Sequence, residues 1–201
     1  MDQLVSYTPR WPLLVHLCGA ILQMFGSAFY HNYYCMSSHH AKSTEKYDMA
    51  GIVLMIMGSS TSPIYYSMQC EESWWWGRYY LAQMYTFSGI AFLVTVLRDS
   101  CGSVSWDFKR KLTALSFSGA GWSFAPFVFH AGYFMPTDQI YKFAVWPWLG
   151  GGVLYGLGAI IYALKIPERY FKRTFDIVGS SHNLMHFLIN LAALLHVWAS
   201  F

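Results

Sequence analysis

The sequence predicts an all-α fold, a multi-pass transmembrane helical bundle, on three observations. Of 201 residues, 55% are hydrophobic and 19% aromatic while only 11% are charged, too little charged surface to keep the chain in water. The mean hydropathy is positive. Six runs approach the roughly 20 apolar residues that a spanning helix needs, at 11–36, 49–70, 79–97, 112–135, 143–164 and 180–201. Together they use up the chain, so residues 1–201 form a single transmembrane domain with no room for a soluble one.

The first run, "WPLLVHLCGAILQMFGSAFYHNYYCM", follows a start, "MDQLVSYTPR", that lacks the basic opening and small-residue cleavage site of a signal peptide, so it is expected to stay as a span. Pro63 and Pro126 fall inside the second and fourth runs, where a kink is expected. "EESWWWGRYY" at 71–80 opens the third run and "WPW" at 146–148 lies near the start of the fifth, and both read as aromatic belts at one membrane surface. Cys18, Cys35, Cys70 and Cys101 have no regular spacing and form no CxxC pair, which argues against a disulfide framework or a thiolate zinc site.

Six spans place the loops near 37–47, 98–111 and 165–179 on one side, and these hold ten of the 13 lysines and arginines. Arg10, Arg78 and Lys142 lie on the other. The positive-inside rule makes the first set cytoplasmic and both termini external.

That threading brings four polar residues to one membrane level. His31 lies near the end of the first run, Asp48 opens the second, and His182 and His186 occupy the first turns of the sixth. His182 and His186 are i and i+4, so their rings leave one helix face about 6 Å apart, a spacing that lets two imidazoles hold one metal ion. With His31 as a third nitrogen, the set matches a hydrolytic zinc centre with an open position for water. Asp48 is placed to act as base or water-orienting group, and Ser27, one turn before His31, to support it. Bland readings stand beside these. An aspartate at a helix start is as much an N-cap as a catalyst. Haem and proton relay are rivals for a histidine pair, but a haem usually needs histidines facing one another across helices and a relay needs no third partner, so zinc is favoured. His16 reads as a donor to a neighbouring helix, His130 as an interface residue, His39 and His40 as loop residues, and His196, about 21 Å deeper than His182, as a bundle-core donor.

"GSAFYHNYYC", "KYDMAGIVLMIMGS" and "PERYFKRTFDIVGSSHNLMHFLINLAALLH", in this order, resemble the progestin and adipoQ receptor family, which includes adiponectin receptors and haemolysin III proteins. The resemblance implies zinc on His31, His182 and His186 near the cytoplasmic face, with Asp48 acting through a metal-bound water. It implies a receptor-like membrane protein of lipid signalling with lipid amide (ceramide-type) hydrolase activity. The alternative is a non-enzymatic receptor or channel-like protein with a structural zinc. The family has seven spans, so the six here would correspond to spans two to seven, without the N-terminal region and first span. Membrane lipids are the expected partners, with a lipid or protein ligand at the outer face and no nucleic acid.

Overall fold

The computed structural model describes residues 9–68, 74–98, 105–134, 145–175 and 178–199. Among them every regular element is a helix: α1 Trp11–Tyr33, α2 Ser38–Ser67, α3 Trp74–Leu97, α4 Trp106–Trp122, α5 Ala125–Phe134, α6 Val145–Leu164 and α7 Ser181–Trp198. α4 and α5 are two halves of one span, broken at Ser123 and Phe124 just ahead of Pro126, which cannot donate into a continued helix. Six membrane-length elements result, as the hydropathy predicts. Pro63, by contrast, lies within an unbroken α2.

Four of these are long and apolar enough to cross a bilayer on composition alone: Trp11–Tyr33, Trp74–Leu97, Trp106–Phe134 and Trp146–Leu164. They turn large apolar side chains outward, among them Leu14, Ile21, Phe25, Leu93, Leu115 and Val153. Such a belt is what lipid requires. α2 is more polar because it is the centre of the bundle, with α1, α3, α4 and α7 packed round it. Its residues from Asp48 to Met68 are nearly all buried. Two members of its serine and threonine run bond to tyrosines of neighbouring helices: Ser59 Oγ meets Tyr155 Oη at 3.0 Å and Thr61 Oγ1 meets Tyr85 Oη at 3.0 Å.

Lipid is as apolar as leucine, so helices associate in it through close packing rather than by escape from water. α1 and α2 do this with reciprocal glycines. A Cβ on Gly19 or Gly26 would stand 2.7 Å from the carbonyl oxygen of Leu54 or Tyr47, and one on Gly51 would stand 2.6 Å from Gln23 Cα. The two backbones therefore touch, and this fixes α1 residues Gln23 and His31 against α2 residue Asp48.

One boundary departs from the sequence expectation. α2 begins at Ser38, with extended Ser37 as its N-cap accepting the His40 N–H, so ten helical residues precede Asp48. Those residues are mostly exposed and polar, which hides the extension from hydropathy. Asp48 is therefore mid-helix and not an N-cap, and His39 and His40 are helical rather than in a loop. Cys18 and Cys35 are free and exposed; Cys70 and Cys101 lie outside the described residues, as do 71–73 of the first aromatic belt.

Candidate metal centre

α7 owes its start to local sequence. Gly179 takes φ +77, which only glycine adopts cheaply, and delivers Ser180 as N-cap. Ser180 Oγ accepts the Asn183 N–H at 3.3 Å and donates to Asn183 Oδ1 at 2.6 Å. This reciprocal arrangement, a variant of the capping box, sets His182 in the first turn and His186 one turn on.

The ligand atoms of His31, Asp48 and His182 lie within 4.8 Å of one another. His182 Nε2 is 2.7 Å from Asp48 Oδ2, and His186 Nε2 is 2.9 Å from His182 Nε2 and 3.1 Å from Asp48 Oδ1. Asp48 is fully buried, His186 is buried, His182 is partly buried and His31 is exposed. Three helices thus bring His31, Asp48 and His182 into one candidate metal group, while His186 lies against Asp48 and His182 without joining that group; Asp48, expected to act through an intervening water, stands among the ligand atoms themselves. Ser27 is half-buried one turn before His31.

With Asp48 ionised, no assignment of protons satisfies all three contacts. If both imidazoles donate to Asp48, two Nε2–H groups face each other at 2.9 Å. If one Nε2 is bare, it confronts a carboxylate oxygen with no hydrogen between them. Gln23 sharpens the point. Its Nε2 is set 2.9 Å from His186 Nδ1, leaving Oε1 buried without a partner among the described residues. Amide orientation is inferred from the network, and reversing it pairs Oε1 with an Nδ1–H. That is the second contact a metal-ligating histidine makes, and it turns the Nε2 lone pair toward Asp48 and His182. The residues therefore fit a divalent cation that favours nitrogen and oxygen donors.

Sequence reasoning missed the groups that hold these rings. Tyr30 stacks on His182 at 5.5 Å and 18°, and Tyr162 meets it edge-on at 6.0 Å and 80°. The Arg110 guanidinium lies 4.1 Å over Tyr162, donates through Nε and Nη2 to the Tyr162 carbonyl, and reaches Ser181 Oγ at 3.0 Å. Ser181 donates to Glu168 at 2.8 Å. Partial burial works to raise the Glu168 pKa, but the backbone, the Ser181 hydroxyl and Arg110 hold it below the ordinary carboxylate range. Glu45, one turn before Asp48, pairs with Arg98 at 2.9 Å. Tyrosine and arginine near a span end look like belt and loop residues in sequence, so nothing there singled these out.

The other histidines divide. His130 Nδ1, on α5, is 2.7 Å from Tyr80 Oη, and His196 Nε2 is 3.2 Å from the Trp148 carbonyl. His16 is buried with neither ring nitrogen hydrogen-bonded among the described residues, so the expected donation to a neighbouring helix is not seen.

The haemolysin-III-related family pattern matches residues 2–197. The chain belongs to this family. It is 35% identical over 188 residues to heptahelical transmembrane protein 5 of Arabidopsis thaliana, covering 93% of this chain and 48% of that protein. It is 32% identical over 182 residues to the adiponectin receptor protein of Drosophila melanogaster, covering 89% of this chain and 39% of that protein. Heptahelical transmembrane protein ADIPOR2 of Oryza sativa subsp. japonica is 30% identical over 190 residues, covering 94% of this chain and 80% of that protein. The chain thus spans about half the length, or less, of most of these relatives. The progestin and adipoQ receptor resemblance stands, and the chain is an integral, multi-pass membrane protein.

Proposed function

We propose that this haemolysin-III-related protein is a zinc-dependent hydrolase of lipid amides of the ceramide type, acting inside the bilayer. The observation that carries the reading is the grouping of His31, Asp48 and His182 within 4.8 Å of one another, with His186 Nε2 against both Asp48 and His182. A cavity of about 410 Å³ supports it. Its wall includes Met185 and Ile189 of α7 beside His186, then Ile160, Gly156 and Trp148 along α6. Trp148 to Ile160 is about 18 Å of helix, room for a long acyl chain.

His31, His182 and His186 would hold the zinc, which lowers the pKa of bound water to about 7 and polarises a carbonyl. Asp48 takes the proton of the attacking water and returns it to the leaving amine nitrogen. Burial keeps bulk water from this carboxylate, while the Tyr30 and Tyr162 rings hold His182 in line. Ser27 offers a hydroxyl to the amide. The ten-to-three cation count supports a centre near the cytoplasmic face with the C-terminus outside.

A structural zinc in a receptor is the second reading, favoured by the name of the Drosophila relative, an adiponectin receptor protein. Metal analysis of purified protein with a ceramide turnover assay in a bilayer separates the two. Bound zinc with fatty acid release supports the hydrolase; bound zinc without release supports the receptor.

A further inference from the structure

Between α6 and α7 the chain folds into a compact turn. The Lys165 carbonyl accepts the Arg169 N–H at 2.7 Å, and the Pro167 carbonyl accepts those of Tyr170 and Phe171 at 2.9 and 3.1 Å. Glu168 is tied inward by Ser181. Lys165 and Arg173 sit in the left-handed region, at φ 55 and 65, where an L side chain is costly and glycine or asparagine is the easier choice. Both positions carry a cation instead. The turn presents Arg169, Lys172 and Arg173, all exposed, with Tyr170 and Phe171 between them at 68% and 58% exposure.

Anchoring α6 needs neither this backbone nor two large rings held away from every core. Among the described residues, Glu168 is turned inward with one oxygen on Ser181, and Asp107 is paired with Lys111 at 2.8 Å; Asp176 lies outside the described residues. The surface is therefore cationic, preformed and apolar at its tip, and it sits where a membrane-crossing helix ends. A soluble acidic partner would satisfy the charges but not the rings. The bilayer boundary satisfies both, since aromatic rings settle at headgroup depth and anionic lipid attracts lysine and arginine.

We infer that the 165–175 turn binds the phosphate headgroups of anionic phospholipids. Arg169, Lys172 and Arg173 take the phosphate oxygens, arginine through its planar fork, and Tyr170 and Phe171 enter the boundary with the acyl chains. Binding at this turn requires no metal, so it stands or falls apart from the hydrolase reading.

The test uses the full chain in nanodiscs of phosphatidylcholine with and without phosphatidylserine, with retained lipid counted by native mass spectrometry. Wild type should retain phosphatidylserine preferentially, and less so as salt rises. The triple variant Arg169→Ala, Lys172→Ala, Arg173→Ala removes only exposed side chains. At about fivefold per basic residue it should lose roughly a hundredfold in affinity. Equal retention of both lipids by wild type, or an unchanged preference in the triple variant, overturns the proposal. So does displacement of the lipid by inorganic phosphate at matched concentration, which would assign the surface to soluble phosphate compounds.

Discussion

Asp48 Oδ2 stands 2.7 Å from His182 Nε2 across 134 residues of sequence, joining the central helix of the bundle to the last. Because α2 starts at Ser38, the carboxylate caps nothing. A fully buried carboxylate without a structural task is expensive in a membrane, and the cluster it shares with three histidines is what accounts for it.

Gln23→Ala removes one hydrogen bond, the one to His186 Nδ1, and leaves the proposed zinc ligands in place. Metal affinity measured by chelator competition should fall about 10- to 100-fold, the usual cost of losing such a supporting contact. His186→Ala should lose more, and should lose heat stability with the metal. Unchanged affinity in both variants would contradict the proposed ligand set.

Gly26→Ala should destabilise the protein by roughly 1–3 kcal/mol, because its Cβ meets backbone that cannot turn aside. The same change at Gly89, where a Cβ meets nothing within 4 Å, should be neutral or stabilising by about 0.5–1 kcal/mol. Thermal unfolding in one detergent reads both. Equal shifts would mean that α1 and α2 do not depend on backbone contact.

Much of the fold was legible because hydropathy and length report what faces lipid. They failed at residues 38–47, where a helix runs on in a polar, exposed sequence, and this error made Asp48 look like a cap. The His182 and His186 pair was legible from spacing, since i and i+4 share a face whatever the tertiary structure. His31 and Asp48 were legible only as residues at the same depth. Tyr30, Tyr162 and Arg110 were not, because their roles depend on helix rotation and on contacts with α6 and α7, which no periodicity encodes.

Arg110 ties α4 to the Tyr162 carbonyl and to Ser181, the residue before His182. Arg110→Lys keeps the charge but not the fork, so it should alter the visible absorption of the cobalt-substituted protein and weaken metal binding about tenfold or more. A spectrum and affinity equal to wild type would show that α7 holds its register without this arginine.

Gly156 lines the cavity, and a Cβ there meets nothing within 4 Å. Gly156→Leu should fill part of the space without disturbing the helices, and raise KM for long-chain amides more than for short-chain ones. A uniform change across chain lengths would place the acyl chain elsewhere.

If Asp48 acts chemically on substrate held beside a metal, Asp48→Asn should abolish that action and leave the rest of the centre in place. The amide has the same shape but cannot accept a proton as the carboxylate does. Zinc content and fatty acid release from a long-chain ceramide are measured together, in a bilayer, for wild type and variant. Zinc should stay on the histidines while turnover falls by about 10² to 10⁴, the effect of losing a general base. Release that is unchanged in the variant, or a zinc-loaded wild type that releases nothing, would contradict this role of Asp48.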